Sequence, residues 1–218
     1  MNNEEITNYY PKLHLLFNSL KRINYPYEGV TNFIPNNGIY IMFERNERFN
    51  NLDRIVRIGT HNKDKGLILR LNEHYLKANK DRSIFRKNIG RCFINIENKD
   101  YLKIWDKDST SKEDKIKNVK IKDFDYELYI EDKISKYIQN NISFVTIEID
   151  DLKSRVFWEK KLISTIAQYN NVTISENWLG KKSPKEKIRK YGLWQVNNLM
   201  NKTISSYEYK ELLKLVKI

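Results

Sequence analysis

The chain has 218 residues and a mass of 26.3 kDa, which suits one domain with elaborations or a catalytic domain with a small appendage. Forty lysines and arginines against 28 acids leave a formal charge of +12, favouring an acidic partner such as nucleic acid, although an A/T-rich coding sequence gives the same Lys, Asn, Ile and Tyr bias without any binding role. One cysteine, Cys92, excludes an internal disulfide, and with only three histidines a zinc site of the Cys/His kind is not expected. No apolar run reaches the length of a membrane span, and the first five residues lack the basic-then-apolar form of a signal peptide. The expectation is a cytoplasmic protein with no membrane partner and no small-molecule cofactor.

Residues 4–24 carry Ile6, Tyr9, Tyr10, Leu13, Phe17 and Leu20 at helical spacing, crossed by Pro11. They predict a helical preface, residues 1–34, that covers a sheet. Pro35, Asn36 and Asn37 signal a turn before a short β-branched and aromatic run at residues 38–43, and residues 54–60 form a second. Side chains alternate across a strand, so Ile39, Ile41 and Phe43 share one face, as do Val56 and Ile58. Tyr40 then projects to the opposite, less apolar face, beside Arg57 if the strands pair as a hairpin. Such a pair can grip a phosphate, or it can be a packed ring next to a solvated cation. Residues 46–53 are polar and read as the connecting loop.

Residues 67–76 predict a helix packed through Ile68, Leu71 and Tyr75, with Arg70 and His74 stacked four apart on one side. Residues 83–91 read as a short capped helix with Arg86, Lys87 and Arg91 turned outward. From about 98 to 124 the chain is rich in Lys and Asp and reads as a surface insertion. Residues 125–140 are helical in pattern, and residues 142–149 are the clearest strand. Asp150 and Asp151 then cap a helix reaching about Tyr169. Its apolar stripe of Leu152, Val156, Ile163 and Ile166 is completed by Glu159. A carboxylate on a buried seam is costly unless something positive meets it. An ion pair, for instance with Arg70, satisfies that demand, and so does a metal. Ser175-Glu176-Asn177-Trp178 is a turn with an apolar anchor. Ser183-Pro184-Lys185-Glu186 reads as a capping box opening a strongly basic helix, with Lys181, Lys182, Lys185, Lys187, Arg189 and Lys190 in or beside it. Residues 205–208 open a final helix.

Together these residues resemble the GIY-YIG endonuclease family. Gly38-Ile39-Tyr40 matches the first signature triplet, and Arg57-Ile58-Gly59 takes the place of the second with its first residue changed. Arg70 with His74 matches the arginine-x-x-x-histidine of the following helix. Glu159 falls where the family keeps a metal-binding glutamate, and Asn177 where it keeps an asparagine that steadies the site. The resemblance covers roughly residues 36–95 and 142–180. It implies an α+β fold, a small three-stranded antiparallel sheet flanked by helices, within a nuclease core at residues 35–180 and followed by a basic extension at 181–218. It also implies phosphodiester cleavage in DNA with one Mg2+ or Mn2+ on Glu159. Tyr40 would hold or deprotonate the attacking water, Arg70 would stabilise transition-state charge, and His74 would relay a proton or orient its neighbours. Arg57 cannot accept a proton, so His61 and Lys63 are candidates for orienting water instead. A restriction or phage-defence nuclease is the expected setting, with a homodimer where both strands are cut. The competing reading is a non-catalytic nucleic-acid-binding protein derived from the same fold. Contacts to DNA are expected from Arg86, Lys87, Arg91, Lys181, Lys182, Lys185 and Arg189.

Overall fold

Alternation of β-branched and aromatic residues gives this chain a sheet that is apolar on both faces. The computed structural model describes residues 3–216, without the side chains of residues 3–8 and 115, so Ile6 of the first stripe lies outside the described side chains. In chain order the elements are α1 (Asn3–Asn18), β1 (Gly38–Phe49), β2 (Leu52–Gly59), α2 (Leu67–Tyr75), α3 (Ile84–Glu97), α4 (Leu102–Trp105), α5 (Lys112–Val119), α6 (Phe124–Asn141), β3 (Ile142–Glu148), α7 (Leu152–Ala167), α8 (Glu186–Tyr191) and α9 (Ser206–Val216). The strands form one antiparallel sheet in the order β2-β1-β3, as the resemblance implies. No helix among the described residues is long and apolar enough to cross a membrane.

On one face Ile39, Ile41, Phe43, Ile58 and Val145 pack against Leu13 and Phe17 of α1, Leu162 and Ile166 of α7, and Leu212 of α9. On the other, Tyr40, Met42 and Phe144 pack under Leu71 and Tyr75 of α2, Phe85 and Ile89 of α3, Ile134 of α6, and Trp194. The Tyr40 face is therefore a second core rather than a half-polar surface.

Val56 does not share a face with Ile58. Met42 pairs with Arg57 but Phe43 pairs with Ile55, so Val56 is an extra residue on β2. That bulge breaks the two-residue period, and Val56 joins the Tyr40 side. Residues 46–53 are not a long loop either, because β1 runs to Phe49 and β2 begins at Leu52. The charges that hid this strand are buried in pairs, with Arg54 bridging to Glu47 and Glu47 accepting from Ser175.

The strip expected from Arg86, Lys87 and Arg91 is corrected in the same way. All three are buried. Arg86 donates to the Glu131 carboxylate at 2.6 Å and to the His74 carbonyl at 2.9 Å. Lys87 pairs with Asp81 at 3.4 Å, and Arg91 with Asp106 at 2.6 Å. The helix runs longer than its cap predicted, and its basic face meets α6 and the insertion. Within that insertion Tyr101 and Trp105 are buried anchors, and Trp105 donates to the Lys87 carbonyl. Ser183 does not cap a helix: α8 starts at Glu186, with Lys185 as its cap residue, and ends at Gly192 in the left-handed region. The reciprocal box forms instead at α9, between Ser205 and Glu208.

Candidate active site

Two motif glycines set the first contacts. A Cβ at Gly38 would collide with the Ile147 carbonyl of β3. One at Gly59, the cross-strand partner of Tyr40, would come within 3.0 Å of the Tyr40 ring and oxygen. The Tyr40 ring thus lies flat across a position that only glycine leaves open.

Tyr40 is fully buried, and its oxygen lies 2.7 Å from Nε2 of His74. Nη2 of Arg57 donates to the same oxygen over 3.5 Å, while Nη1 donates to the Trp194 carbonyl at 2.8 Å. Arg70 is also coupled to Tyr40. Burial works against the Arg70 charge, but Tyr40 and Glu73 outweigh it and raise its pKa. Arg70 is held meanwhile by Glu73 at 2.7 Å and by the Arg82 carbonyl at 2.8 Å. His74 sits 2.7 Å from Oγ of Ser83, the same oxygen that caps α3. Burial, reinforced by Arg70, Arg57 and Arg86, pushes the His74 pKa well below its usual value, so the ring is neutral.

Glu159 of α7 does not complete the stripe drawn from sequence, since Leu152 is exposed and the buried line runs through Arg155, Trp158 and Leu162. It stands half-buried at the edge of that line. The Thr60 backbone N–H donates to Oε1 at 3.2 Å, and the other oxygen has no protein partner among the described residues. Burial raises its pKa, opposed by Arg57, the Thr60 N–H, Arg70 and Lys160. The expected pairing with Arg70 is absent among the described residues; the arginine goes to Glu73.

A recess of about 190 Å³ is bounded by Arg57, Arg70, Asn88, Glu159, Trp194 and Gln195. Two of its buried donors have no partner among the described residues, Nε of Arg57 and Nδ2 of Asn88. The Asn88 amide is oriented by Arg91, which donates to its oxygen and leaves the NH2 orphaned. An orphaned buried donor costs on the order of 1–3 kcal/mol, so this recess favours an acceptor-rich, anionic guest. No group of three or more His, Cys, Asp or Glu able to hold a metal occurs among the described residues. One carboxylate with an unclaimed oxygen suits Mg2+ or Mn2+, hard ions that fill most positions with water and substrate phosphate, and suits no protein-only cage.

The structure therefore brings Tyr40, Arg57, Arg70, His74 and Glu159 together. It places the remaining candidates elsewhere. His61 is locked, accepting from the Gly38 N–H at Nε2 (3.2 Å) and contacting the Lys63 carbonyl at Nδ1 (2.7 Å), so neither nitrogen is free for water. Lys63 is exposed in a neighbouring recess. Asn177 is exposed on the turn that seats Trp178 and does not line the recess. Lys181 pairs with Glu176 at 2.9 Å and Lys185 with Asp106 at 3.6 Å, Arg189 donates to the Ser183 carbonyl, and Lys182 is exposed. Gln195, whose side-chain oxygen accepts from the Ile58 N–H at 2.9 Å, was not foreseen, nor were Ser83 as a partner of His74 and Asn88. Asn88 was detectable: it lies between Phe85, Ile89 and Cys92 on an apolar helical face, the same anomaly that marks Glu159.

A small antiparallel sheet flanked by helices, with a strand tyrosine and an arginine–histidine helix on one face and a carboxylate helix on the other that reaches the end of edge strand β2, defines an α+β domain. The model of the GIY-YIG domain matches residues 1–217, so the chain belongs to the GIY-YIG family, terminal helices included. No curated protein and no solved structure matches it.

Proposed function

We propose that the chain is a divalent-metal-dependent DNA endonuclease that hydrolyses phosphodiester bonds in the recess bounded by Arg57, Arg70 and Glu159, with Tyr40 buried behind Arg57. The observation that carries this reading is one shared wall. Arg57 donates to the Tyr40 oxygen, and Arg57 and Arg70 line the same recess as Glu159 and two orphaned donors, one of them Nε of Arg57 itself.

Each residue then has a distinct task. Arg57 and Arg70 hold non-bridging phosphate oxygens and offset the charge that accumulates as water attacks phosphorus. Asn88 adds one neutral donor to the same oxygens. Tyr40 positions the attacking water. His74, kept neutral by burial and three arginines, is a poor store for a proton and acts as the orienter of Tyr40. Arg57 stands where the second motif tyrosine is expected and contributes charge instead of a hydroxyl. Glu159 would hold the metal, which when bound supplies positive charge against the leaving 3′ oxygen. A restriction or phage-defence setting in the cytoplasm, with a homodimer for double-strand cuts, follows by analogy alone.

The test is cleavage of supercoiled plasmid with Mg2+ or Mn2+, beside EDTA and Glu159→Gln. Nicking or linearisation that requires the metal and is lost in the variant, with DNA affinity retained, supports the reading. A Glu159→Gln protein that cuts as fast as the wild type overturns it.

A further inference from the structure

Three recesses follow one another along the protein, each sharing a wall with the next. The first, about 570 Å³, contains Lys63, Arg70, Lys77 and Arg82. Arg70 is also a wall of the site recess. The site recess in turn shares Val196, Asn197 and Asn198 with a third, about 530 Å³, which Lys187 borders. Glu159 thus lines the middle one of three recesses linked by shared residues.

The charges in the two outer recesses of this trough are unspent. Lys63, Lys77, Arg82 and Lys187 are exposed, and none takes part in an ion pair among the described residues. Lys187 donates to the Val196 carbonyl at 3.5 Å, a neutral acceptor that leaves its charge uncompensated among the described residues. The one acid of the first recess, Glu73, is already paired with Arg70. Of the basic residues that stand out in the sequence, Arg86, Lys87, Arg91, Lys181 and Lys185 all have carboxylate partners, whereas Lys182 and Arg189, which have none among the described residues, line none of the three recesses. A cation already held by a carboxylate adds less to the neutralisation of phosphates, and so to the release of counterions condensed on DNA, than a free one does.

We propose that this trough is the track of a nucleic-acid backbone, with flanking phosphates on Lys63, Lys77 and Arg82 at one end and on Lys187 at the other. The scissile phosphate then lies between them, over Glu159. The proposal rests on the nuclease reading and adds where the substrate runs. It also moves DNA contact away from Lys181, Lys182 and Lys185.

The experiment is fluorescence-anisotropy titration of a short labelled duplex of arbitrary sequence, in EDTA, across a range of KCl concentrations. Wild type is compared with the triple variant Lys63→Ala, Lys77→Ala, Arg82→Ala and with Lys181→Ala, Lys182→Ala, Lys185→Ala. Removing the trough cations should weaken binding and lower the slope of log K against log salt by about 1 per cation. The second triple should keep the wild-type slope. A charge-retaining set, Lys63→Arg, Lys77→Arg, Arg82→Lys, should bind as wild type does, which separates lost charge from lost folding. An alanine trough variant with the wild-type slope overturns the proposal, as does an equal loss in the second triple or a wild type that does not bind. Plasmid cleavage with Mg2+ reads the other question. Cutting by wild type with an unaffected trough variant leaves the nuclease reading standing and the trough wrong. Weakened binding in the trough variant, with no cutting by any protein, leaves the trough standing and the nuclease reading wrong.

Discussion

Gly59→Ala tests whether Tyr40 is held where the chemistry needs it. A methyl at this position would lie within 3.0 Å of the Tyr40 oxygen and ring, closer than real Cβ atoms approach. The ring must move, yet its other neighbours are buried side chains and the 2.7 Å contact to His74. Overpacking a filled core costs about 1–3 kcal/mol. For a chain of this size that corresponds to a fall in Tm of roughly 2–12 °C. The greater effect falls on the reaction, because a shift of about 1 Å in a positioning group costs on the order of a hundredfold in rate. Gly29→Ala is the matched control, since nothing lies within 4 Å of its Cβ position. Thermal denaturation and single-turnover cleavage of plasmid would be measured on both. A Gly59→Ala protein that cuts and melts like the wild type would refute the packing argument, whatever Gly29→Ala does.

Acid lability should come in part from His14. Its Nε2 accepts from the Ile55 N–H and its Nδ1 meets the Tyr10 carbonyl, so the folded ring is neutral, and burial, the largest cause, lowers its pKa to about 4. The unfolded chain binds the proton first, so stability is full above pH 6.5 and falls as the pH drops towards about 4. The gap is worth roughly 3 kcal/mol at about 1.4 kcal/mol per pH unit. Urea midpoints across that window should fall less in His14→Gln than in wild type, and parallel curves would contradict the assignment. Glu131→Ala should cost about 3–5 kcal/mol in urea unfolding, because it strands the buried Arg86 charge; a loss below about 1 kcal/mol would sink the buried-pair account. Asn88→Ala removes an orphaned recess donor but also the oxygen that accepts from Arg91, so it should slow cleavage at a stability cost of about 1–3 kcal/mol. A Tm drop of several degrees with unchanged cleavage would make Asn88 a packing residue only.

The core and the meeting of five site residues were legible because they rest on local pattern: two β-branched runs, a helix with Arg70 and His74 in register, and a carboxylate near an apolar seam. Misreadings arose where charge is buried. Glu47 with Arg54 made a strand look like a loop, and Arg86 with Glu131 made an inward face look like an outward one. In both cases the partner is remote in sequence or lies on another strand, so no local window shows the compensation. Val56 was misplaced because a bulge shifts the alternation by one residue without altering composition. Asn177 was placed by sequence position after α7, yet the turn that carries it is fixed by Trp178, whose ring nitrogen donates to Glu44 at 2.9 Å. Gln195 reaches the site because its segment joins β2 through the Trp194 N–H on the Val56 carbonyl at 2.8 Å. No sequence periodicity encodes that contact.

Tyr40→Phe separates the Tyr40 oxygen from its ring. It removes one oxygen, the one that His74 and Arg57 contact and Arg70 is coupled to, and it leaves the ring against Gly59. Single-turnover cleavage with Mg2+ would be followed alongside duplex affinity and Tm. Cleavage should be lost with affinity close to wild type and Tm lowered by only a few degrees, the cost of leaving buried Nε2 of His74 without its partner. A Tyr40→Phe protein that cuts at the wild-type rate would contradict this reading, because the site would then work without the atom around which it is built.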